Sequence, residues 1–123
     1  MKVLWLVNNE FPEVSKYYSR KPNTGSGSWM LTLLSNLKSE EGLEIHVGHG
    51  TYTTTTKSFE SDGVKYHLMG FNSWDAKTNN NSLNLSLISK LVNDVKPDII
   101  HVFGTEKFYG LVNLLVDVPV IIR

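Results

Sequence analysis

Cysteine is absent from this chain of 123 residues. Disulfide bonds and thiolate metal sites are therefore excluded, and nothing in the composition indicates an oxidising compartment. An excess of charge of either sign is also absent, since 12 basic residues balance 12 acidic ones. A balanced chain lacks the clustered basic surface that binds a nucleic-acid backbone, so we expect no nucleic acid among its partners.

Long hydrophobic runs are missing as well. The first apolar run lies within residues 1–7, stops at Asn8-Asn9-Glu10, and is too short for a signal-peptide core or a membrane helix. A cytoplasmic protein is the resulting expectation. The length and the hydrophobic share of 41% fit one globular domain or a piece of one.

Strand and helix patterns alternate along the chain. Apolar runs predict strands over 3–7, 44–48, 99–103 and 118–122. Helical spacing of apolar residues predicts amphipathic helices over 28–38 and 82–95, with a shorter helix over 105–115. Asp62-Gly63 between strand-like flanks predicts a hairpin, whereas 51–56 fits either strand or loop. The alternation favours a doubly wound, mostly parallel α/β sheet.

The most informative segment is residues 98–106, with the sequence DIIHVFGTE. Its nearly continuous apolar run around His101 is typical of a strand that is covered on both faces in a parallel sheet. Gly104-Thr105-Glu106 then turns the chain. Because ligands of open α/β sheets bind beyond the carboxyl ends of the strands, this exit is a candidate site.

The last predicted strand, 118–122, is apolar and is predicted to be buried. A buried strand at this position needs a further covering layer, so we expect the chain to be a fragment of a larger protein. The alternative is a complete small domain whose final strand lies at a sheet edge.

An unusually long connection, residues 8–27, separates the first strand from the first helix. Loops of this length usually have a function or are disordered. Its end, Gly25-Ser26-Gly27-Ser28, can bring backbone amides and a helix amino end to an anion. The alternative is a flexible turn with a helix cap. Met30 replaces the third glycine of a dinucleotide fingerprint, and no Walker Gly-Lys-Ser/Thr follows.

Basic and aromatic residues alternate within the same connection. These residues are Lys16, Tyr17, Tyr18, Arg20 and Lys21. The pattern fits either a solvated loop or a segment that contacts an anionic or sugar-bearing ligand.

Taken in order, several of these segments resemble the amino-terminal half of retaining glycosyltransferases of the two-Rossmann-domain class, GT-B, and in particular the family-4 type. The resemblance covers nearly the whole chain and rests on 2–7 with Phe11-Pro12, on 25–29, on 62–64 and on 96–106. It implies that residues 1–123 form a Rossmann-like, acceptor-side domain. In the family such a domain faces a carboxyl-terminal nucleotide-sugar domain, which this chain lacks.

The resemblance implies transfer of a sugar from a nucleotide-sugar donor to an acceptor hydroxyl with retention of configuration. No cofactor or essential metal is expected, because the nucleotide-sugar is a co-substrate. The expected partners are this donor, a glycan, lipid-linked or small-molecule acceptor, and the missing domain, with peripheral membrane contact among the expectations. The isolated chain is expected to be inactive. The alternative function is a non-catalytic α/β ligand-binding or interaction module.

The resemblance also implies the site residues. It assigns the donor diphosphate to Gly25, Ser26, Gly27 and Ser28, and the acceptor to Asn9, Trp29, Phe103, Gly104, Thr105 and Glu106. His101 is the candidate catalytic residue. The alternative for His101 is a structural role, because a histidine inside an apolar strand is commonly a hydrogen-bonded core residue. The alternative for Glu106 is that an acidic residue in a first helical turn complements the helix dipole.

The remaining histidines are interpreted as structural. His46 and His49 are three residues apart on or just after a strand and point to opposite faces, so we do not expect a metal pair, and His67 is interpreted as isolated. The tryptophans at 5, 29 and 74 are predicted to pack in or near the core, and Trp29 can also line a sugar site.

Overall fold

The computed structural model describes residues 1–8, 10–19, 28–51, 56–71, 82–103 and 108–122. Its elements in chain order are β1 (Lys2–Val7), α1 (Pro12–Tyr17), α2 (Ser28–Leu37), β2 (Glu44–Thr51), β3 (Lys57–Ser61), β4 (Val64–Gly70), α3 (Ser82–Val95), β5 (Ile99–Val102), a 3₁₀ helix (Phe108–Leu114) and β6 (Val120–Ile122). None of the helices in these described ranges is long and apolar enough to cross a membrane.

The strands form one six-stranded sheet in the order β3-β4-β2-β1-β5-β6. All neighbours pair in parallel except β3 and β4, which are antiparallel. This confirms the predicted α/β class with a mostly parallel sheet, and the architecture is compatible with a Rossmann-like fold. Strands β2, β3 and β4 lie on one side of β1, and the later strands β5 and β6 lie on the other. The strand order therefore reverses between β1 and β5, which is the topological switch point.

Helices cover both faces of the sheet because successive side chains of a strand point to opposite faces. On one face, which we call the α1–α2 face, Val14, Met30 and Leu34 pack with Trp5 and Tyr66. On the other, the α3 face, side chains of α3 and the 3₁₀ helix pack on strand residues that include Leu4, Leu6, Ile100 and Val102. Double coverage explains why the central strands are apolar without a break.

The predicted hairpin is confirmed as β3 and β4. Its two turn residues, Asp62 and Gly63, have φ angles of 51° and 79°. Positive φ at both central residues matches the right-handed twist of hairpin strands, and Asp-Gly tolerates this conformation. The hairpin inserts β4 beside β2 and leaves β3 at the sheet edge.

Strand β2 extends to Thr51, beyond the predicted 44–48, and carries two glycines on its α3 face. A Cβ at Gly50 would lie 2.1 Å from the ring of Phe71, and one at Gly48 would lie 2.9 Å from Leu91. Side chains at these positions would therefore displace the residues that pack on the sheet.

Helix α1 lies inside the connection that was expected to be a loop. Pro12 stands at the start of the helix, Glu13 is in its first turn, and Val14 is buried. A proline and an acidic residue at these positions are typical of a helix start. The loop interpretation is therefore wrong for this segment, and Tyr17 stacks on Phe59 with ring centroids 4.5 Å apart. Residues 20–27 lie outside the described ranges.

Two predictions at the end of the chain are corrected. The predicted buried strand 118–122 is the shorter β6, and Ile121 and Ile122 are 48% and 44% exposed because β6 lies at an edge of the described sheet. The predicted helix over 105–115 is a 3₁₀ helix within its described part. In β5, Ile100 and Val102 are buried, whereas Ile99 and His101 are only half-buried.

Candidate functional site

Strands β1 and β5 end side by side at the switch point. Leu6 stands opposite Val102 in the parallel register, and the Phe103 amide donates a hydrogen bond to the Leu6 carbonyl at 3.0 Å. The chain therefore leaves both strands at the same place, beyond the carboxyl edge of the sheet, where open α/β sheets bind ligands.

Four rings meet at this edge on the α1–α2 face, and we call Trp5, Trp29, His101 and Phe103 the aromatic cluster. Phe103 is its centre, with ring centroids 4.6 Å from Trp5, 4.0 Å from His101 and 5.4 Å from Trp29. Trp5 and Phe103 are buried, whereas Trp29 in the first turn of α2 is 52% exposed. The cluster thus runs from the core to the surface and ends in a half-exposed indole.

His101 belongs to the cluster through two contacts. It stands opposite Trp5 in the register of β1 and β5, with ring centroids 6.2 Å apart, and it stacks on Phe103. Its ring is half-buried. The structure therefore brings together three of the predicted site residues, Trp29, His101 and Phe103.

The other predicted site residues are not all described. Asn9 and the segments 25–27 and 104–106 lie outside the described residues, so the roles of Gly25, Ser26, Gly27, Gly104, Thr105 and Glu106 stay predictions. Ser28 begins α2.

Polar residues near this edge were not predicted as site residues. Ser15 in α1 is fully buried, and its hydroxyl donates to the Glu10 carboxylate at 2.7 Å. His49 near the end of β2 is buried, and its Nδ1 donates to the Val7 carbonyl at 3.2 Å. The sequence signal that could have identified Glu10 and His49 as site candidates is their position, because each comes shortly after the end of a predicted strand.

A second polar group lies on the α3 face, and we call Glu44, His46, His67 and Ser58 the polar row. Glu44 Oε2 and His46 Nε2 are 2.6 Å apart, His46 Nδ1 and His67 Nε2 are 2.8 Å apart, and His67 Nδ1 and Ser58 Oγ are 3.0 Å apart. The interpretation of His67 as isolated is therefore wrong. The opposite orientation of His46 and His49 is confirmed, since His49 bonds Val7 instead.

The register of three strands creates the polar row. Ser58 stands opposite His67 across β3 and β4, and His67 stands opposite Gly48, two residues beyond His46 on β2. Side chains that are directly or diagonally opposed in a sheet can reach each other. A sequence without a known register does not reveal such neighbours.

The electrostatics of the polar row favour an ionised Glu44 and an uncharged His67. A hydrogen bond from His46 lowers the pKa of Glu44 more than burial raises it, and Lys65 adds to the lowering. Burial lowers the pKa of His67 to about 4, with further lowering by His46 and Lys65 and a smaller opposing effect from Asp94. At neutral pH His67 is therefore an uncharged base.

A cavity of about 240 Å³ adjoins the polar row between the β3–β4 hairpin and α3. Its lining combines polar and apolar side chains, and includes Ser58, His67, Met69, Leu87, Lys90, Leu91 and Asp94. Within the part of the chain that the structure describes, no group of three or more histidine and acidic side chains could hold a metal ion.

Comparisons of the chain with protein-family models, curated protein sequences and solved structures found no match.

Proposed function

We propose that this chain is the acceptor-side domain of a retaining glycosyltransferase of the GT-B type, with its acceptor bound at the carboxyl edge of β1 and β5. The observation that carries the proposal is the aromatic cluster, in which an exposed Trp29 is held on the buried ring of Phe103 at the topological switch point. This is the position at which open α/β sheets bind their ligands.

A half-exposed tryptophan of this kind suits a sugar. An indole face packs on apolar C–H groups, whereas the hydroxyls of the same sugar ring need polar partners around it. Because Trp29 rests on Phe103 and the ring of Phe103 rests on Trp5, the outer face is held in place before a ligand arrives. A pre-ordered face lowers the entropic cost of binding.

His101 is the polar group of the cluster. In the proposed complex it contacts the acceptor or the transferred sugar, since it stacks on the same Phe103 ring as Trp29. An imidazole can accept or donate a hydrogen bond to a sugar hydroxyl near neutral pH.

The donor would be bound by the second domain of the proposed enzyme. That domain would hold the nucleotide-sugar, and the amino end of α2 with the Gly25–Ser28 loop would meet the diphosphate across the cleft. In the transfer, the acceptor oxygen bonds to the anomeric carbon and the nucleoside diphosphate leaves. Backbone amides and a helix amino end stabilise the charge that develops on such a leaving group.

Acceptor binding can be tested on the isolated chain. Tryptophan fluorescence and NMR titration with a panel of saccharides should detect binding, and Trp29→Ala should weaken it about tenfold or more. Leu83→Ala is the matched control, because Leu83 is 58% exposed on α3, away from the cluster, and its removal should leave binding unchanged. Equal loss in both variants would contradict the proposed site.

Transfer needs the complete architecture. When the chain is joined to a nucleotide-sugar domain, we expect hydrolysis or transfer of the nucleotide-sugar, reduced by bulky replacements of Gly25 and Gly27. If saccharides do not bind and the joined protein does not act on nucleotide-sugars, the binding or interaction module becomes the better account.

A further inference from the structure

The polar row is separate from the proposed acceptor site. It lies on the α3 face and joins β2, β4 and β3, whereas the aromatic cluster lies on the α1–α2 face. It starts at Glu44, the first residue of β2, and ends at Ser58, which is exposed beside the cavity. The acceptor site does not need these four side chains.

One assignment of the protons satisfies all three hydrogen bonds of the row. In it, the ionised Glu44 accepts from His46 Nε2, and His46 Nδ1 is an acceptor. His67 therefore donates through Nε2, which leaves its Nδ1 to accept from the Ser58 hydroxyl.

This arrangement is that of an activated hydroxyl. A nucleophile, a base within hydrogen-bond reach and a third group that orients the base are the parts of serine-based acyl transfer, which is recognised by geometry on unrelated folds. Here Ser58 is the hydroxyl, His67 the base, and His46 with Glu44 the orienting groups. Burial keeps His67 in its unprotonated form at neutral pH.

The cavity offers space for a small acyl group next to this hydroxyl. Met69, Leu87 and Leu91 form apolar lining, whereas Lys90 and Asp94 on α3 contribute charges of opposite sign to the same cavity. An ammonium group there can stabilise the negative oxygen of a tetrahedral intermediate. A volume of about 240 Å³ accommodates a short acyl chain.

We propose that Ser58 is the nucleophile of a second site, which takes short acyl groups from activated esters. The Ser58 oxygen bonds to the ester carbonyl carbon while its proton passes to His67 Nδ1. The tetrahedral intermediate then collapses, the alkoxide leaves with that proton, and an acyl group remains on Ser58. Water releases it as a carboxylic acid by the same steps, with His67 again as base.

The base is weak, because its pKa of about 4 lies well below neutral pH. A weak base favours slow turnover. Formation of the acyl adduct is therefore a better measure of the site than a steady-state rate.

The first test is stoichiometric labelling of the whole chain. Incubation with p-nitrophenyl acetate and with a fluorophosphonate probe, followed by intact-mass and peptide mass analysis, should give one adduct per chain at Ser58. Ser58→Ala should remove it. Ser86→Ala is the control, since Ser86 is also exposed but its hydroxyl donates to the Leu83 carbonyl at 2.6 Å and not to an imidazole. No adduct, or an adduct that persists in Ser58→Ala, overturns the proposal.

The absence of cysteine allows a second test. Ser58→Cys and Ser86→Cys each give a chain with a single thiol, and the rate of iodoacetamide alkylation can be followed against pH. We expect the thiol at 58 to react at lower pH than the thiol at 86, because an adjacent imidazole promotes thiolate formation. Identical pH profiles would show that His67 does not activate this position and would overturn the proposal.

Glu44 and His46 are positioning residues in this scheme. Glu44→Gln keeps the size of the side chain but removes its charge, so it should slow adduct formation about tenfold or more and move the pH profile of the Ser58→Cys thiol toward that of the control. A merely structural role would leave the pH profile in place. An unchanged labelling rate and an unchanged profile would contradict the relay.

Discussion

The aromatic cluster and the polar row are built on one sheet but differ in what holds them together. The cluster lies at the carboxyl edge on the α1–α2 face and consists of ring contacts around Phe103. The row lies on the α3 face, begins at the amino end of β2, and consists of three directional hydrogen bonds. The cluster is stabilised mainly by burial of apolar rings, and the row by hydrogen bonds between ionisable groups. Removal of a ring should therefore affect the cluster, whereas a change of pH should affect the row.

The difference also bears on function. The aromatic cluster supplies a ring surface with one imidazole, that of His101, whereas the polar row joins a carboxylate, two imidazoles and a hydroxyl that can move a proton. The proposed acceptor site and the proposed acyl-transfer site therefore divide binding and proton chemistry between opposite faces of the sheet.

The largest expected effect is the loss of the Phe103 ring. Phe103 is 3% exposed and touches the other three rings of the aromatic cluster, so Phe103→Ala should lower the free energy of unfolding by about 3–4 kcal/mol. Urea denaturation measures this loss. Phe103→Leu refills most of the volume and should cost only about 1 kcal/mol.

The same variant separates the two regions. The pKa of His67, followed by NMR in Phe103→Leu, should equal that of the unsubstituted chain, because the side chains lie on opposite faces of the sheet. A loss below 1 kcal/mol in Phe103→Ala, or a shifted His67 titration in Phe103→Leu, would contradict the independence of cluster and row.

The sequence was informative for the elements that carry the aromatic cluster because their signals are local. The apolar run around His101 and the helix start at Ser28 are both found, whereas the assignment of Trp29 and Phe103 to one site came from the family resemblance, and the two rings do meet. Helices α2 and α3 and the Asp62-Gly63 hairpin were equally readable, since periodicity and turn chemistry depend on neighbouring residues.

The polar row could not be predicted because it depends on register. His67 is 21 residues from His46 and 9 from Ser58, and only the insertion of β4 between β2 and β3 makes them neighbours. Helix α1 was missed for a different reason, because six residues are too few for a periodic pattern. The burial of β6 was overestimated because an apolar strand sequence does not reveal its place in the sheet.

An intermediate effect on the free energy of unfolding is expected when the pH is lowered and the polar row binds protons. Unfolded His67 binds a proton near pH 6.5 and folded His67 only near pH 4, so between these values the unfolded state holds more protons and stability falls as the pH falls. His67 is partly exposed, and screening limits the loss to about 1–2 kcal/mol. Glu44 adds a further loss below its ordinary pKa of 4.5, because its folded pKa is lowered.

Urea denaturation between pH 7.5 and pH 4 measures this loss. His67→Gln removes one titratable group and should reduce the dependence between pH 6.5 and pH 4, although His46, Glu44, Lys65 and Asp94 remain near the site. Parallel curves for His67→Gln and the unsubstituted chain would show that the row does not govern the acid response.

The smallest effect is expected at an ion pair that joins the end of α2 to the β3–β4 turn. Lys38 directly after α2 forms an ion pair with Asp62 in the β3–β4 turn, and the Asp62 side chain is 71% exposed. Exposed pairs contribute little, so Asp62→Asn should lower the free energy of unfolding by about 0.5 kcal/mol or less, and high salt should abolish the difference.

Asn tolerates the positive φ of 51° at this position, whereas Asp62→Ala should cost about 1 kcal/mol more because alanine does not. Denaturation of both variants at low and high salt separates charge from backbone conformation. A loss above 2 kcal/mol in Asp62→Asn would mean that this ion pair couples the hairpin that carries Ser58 to the helix that carries Trp29, and the cluster and the row would then have to be treated as one unit.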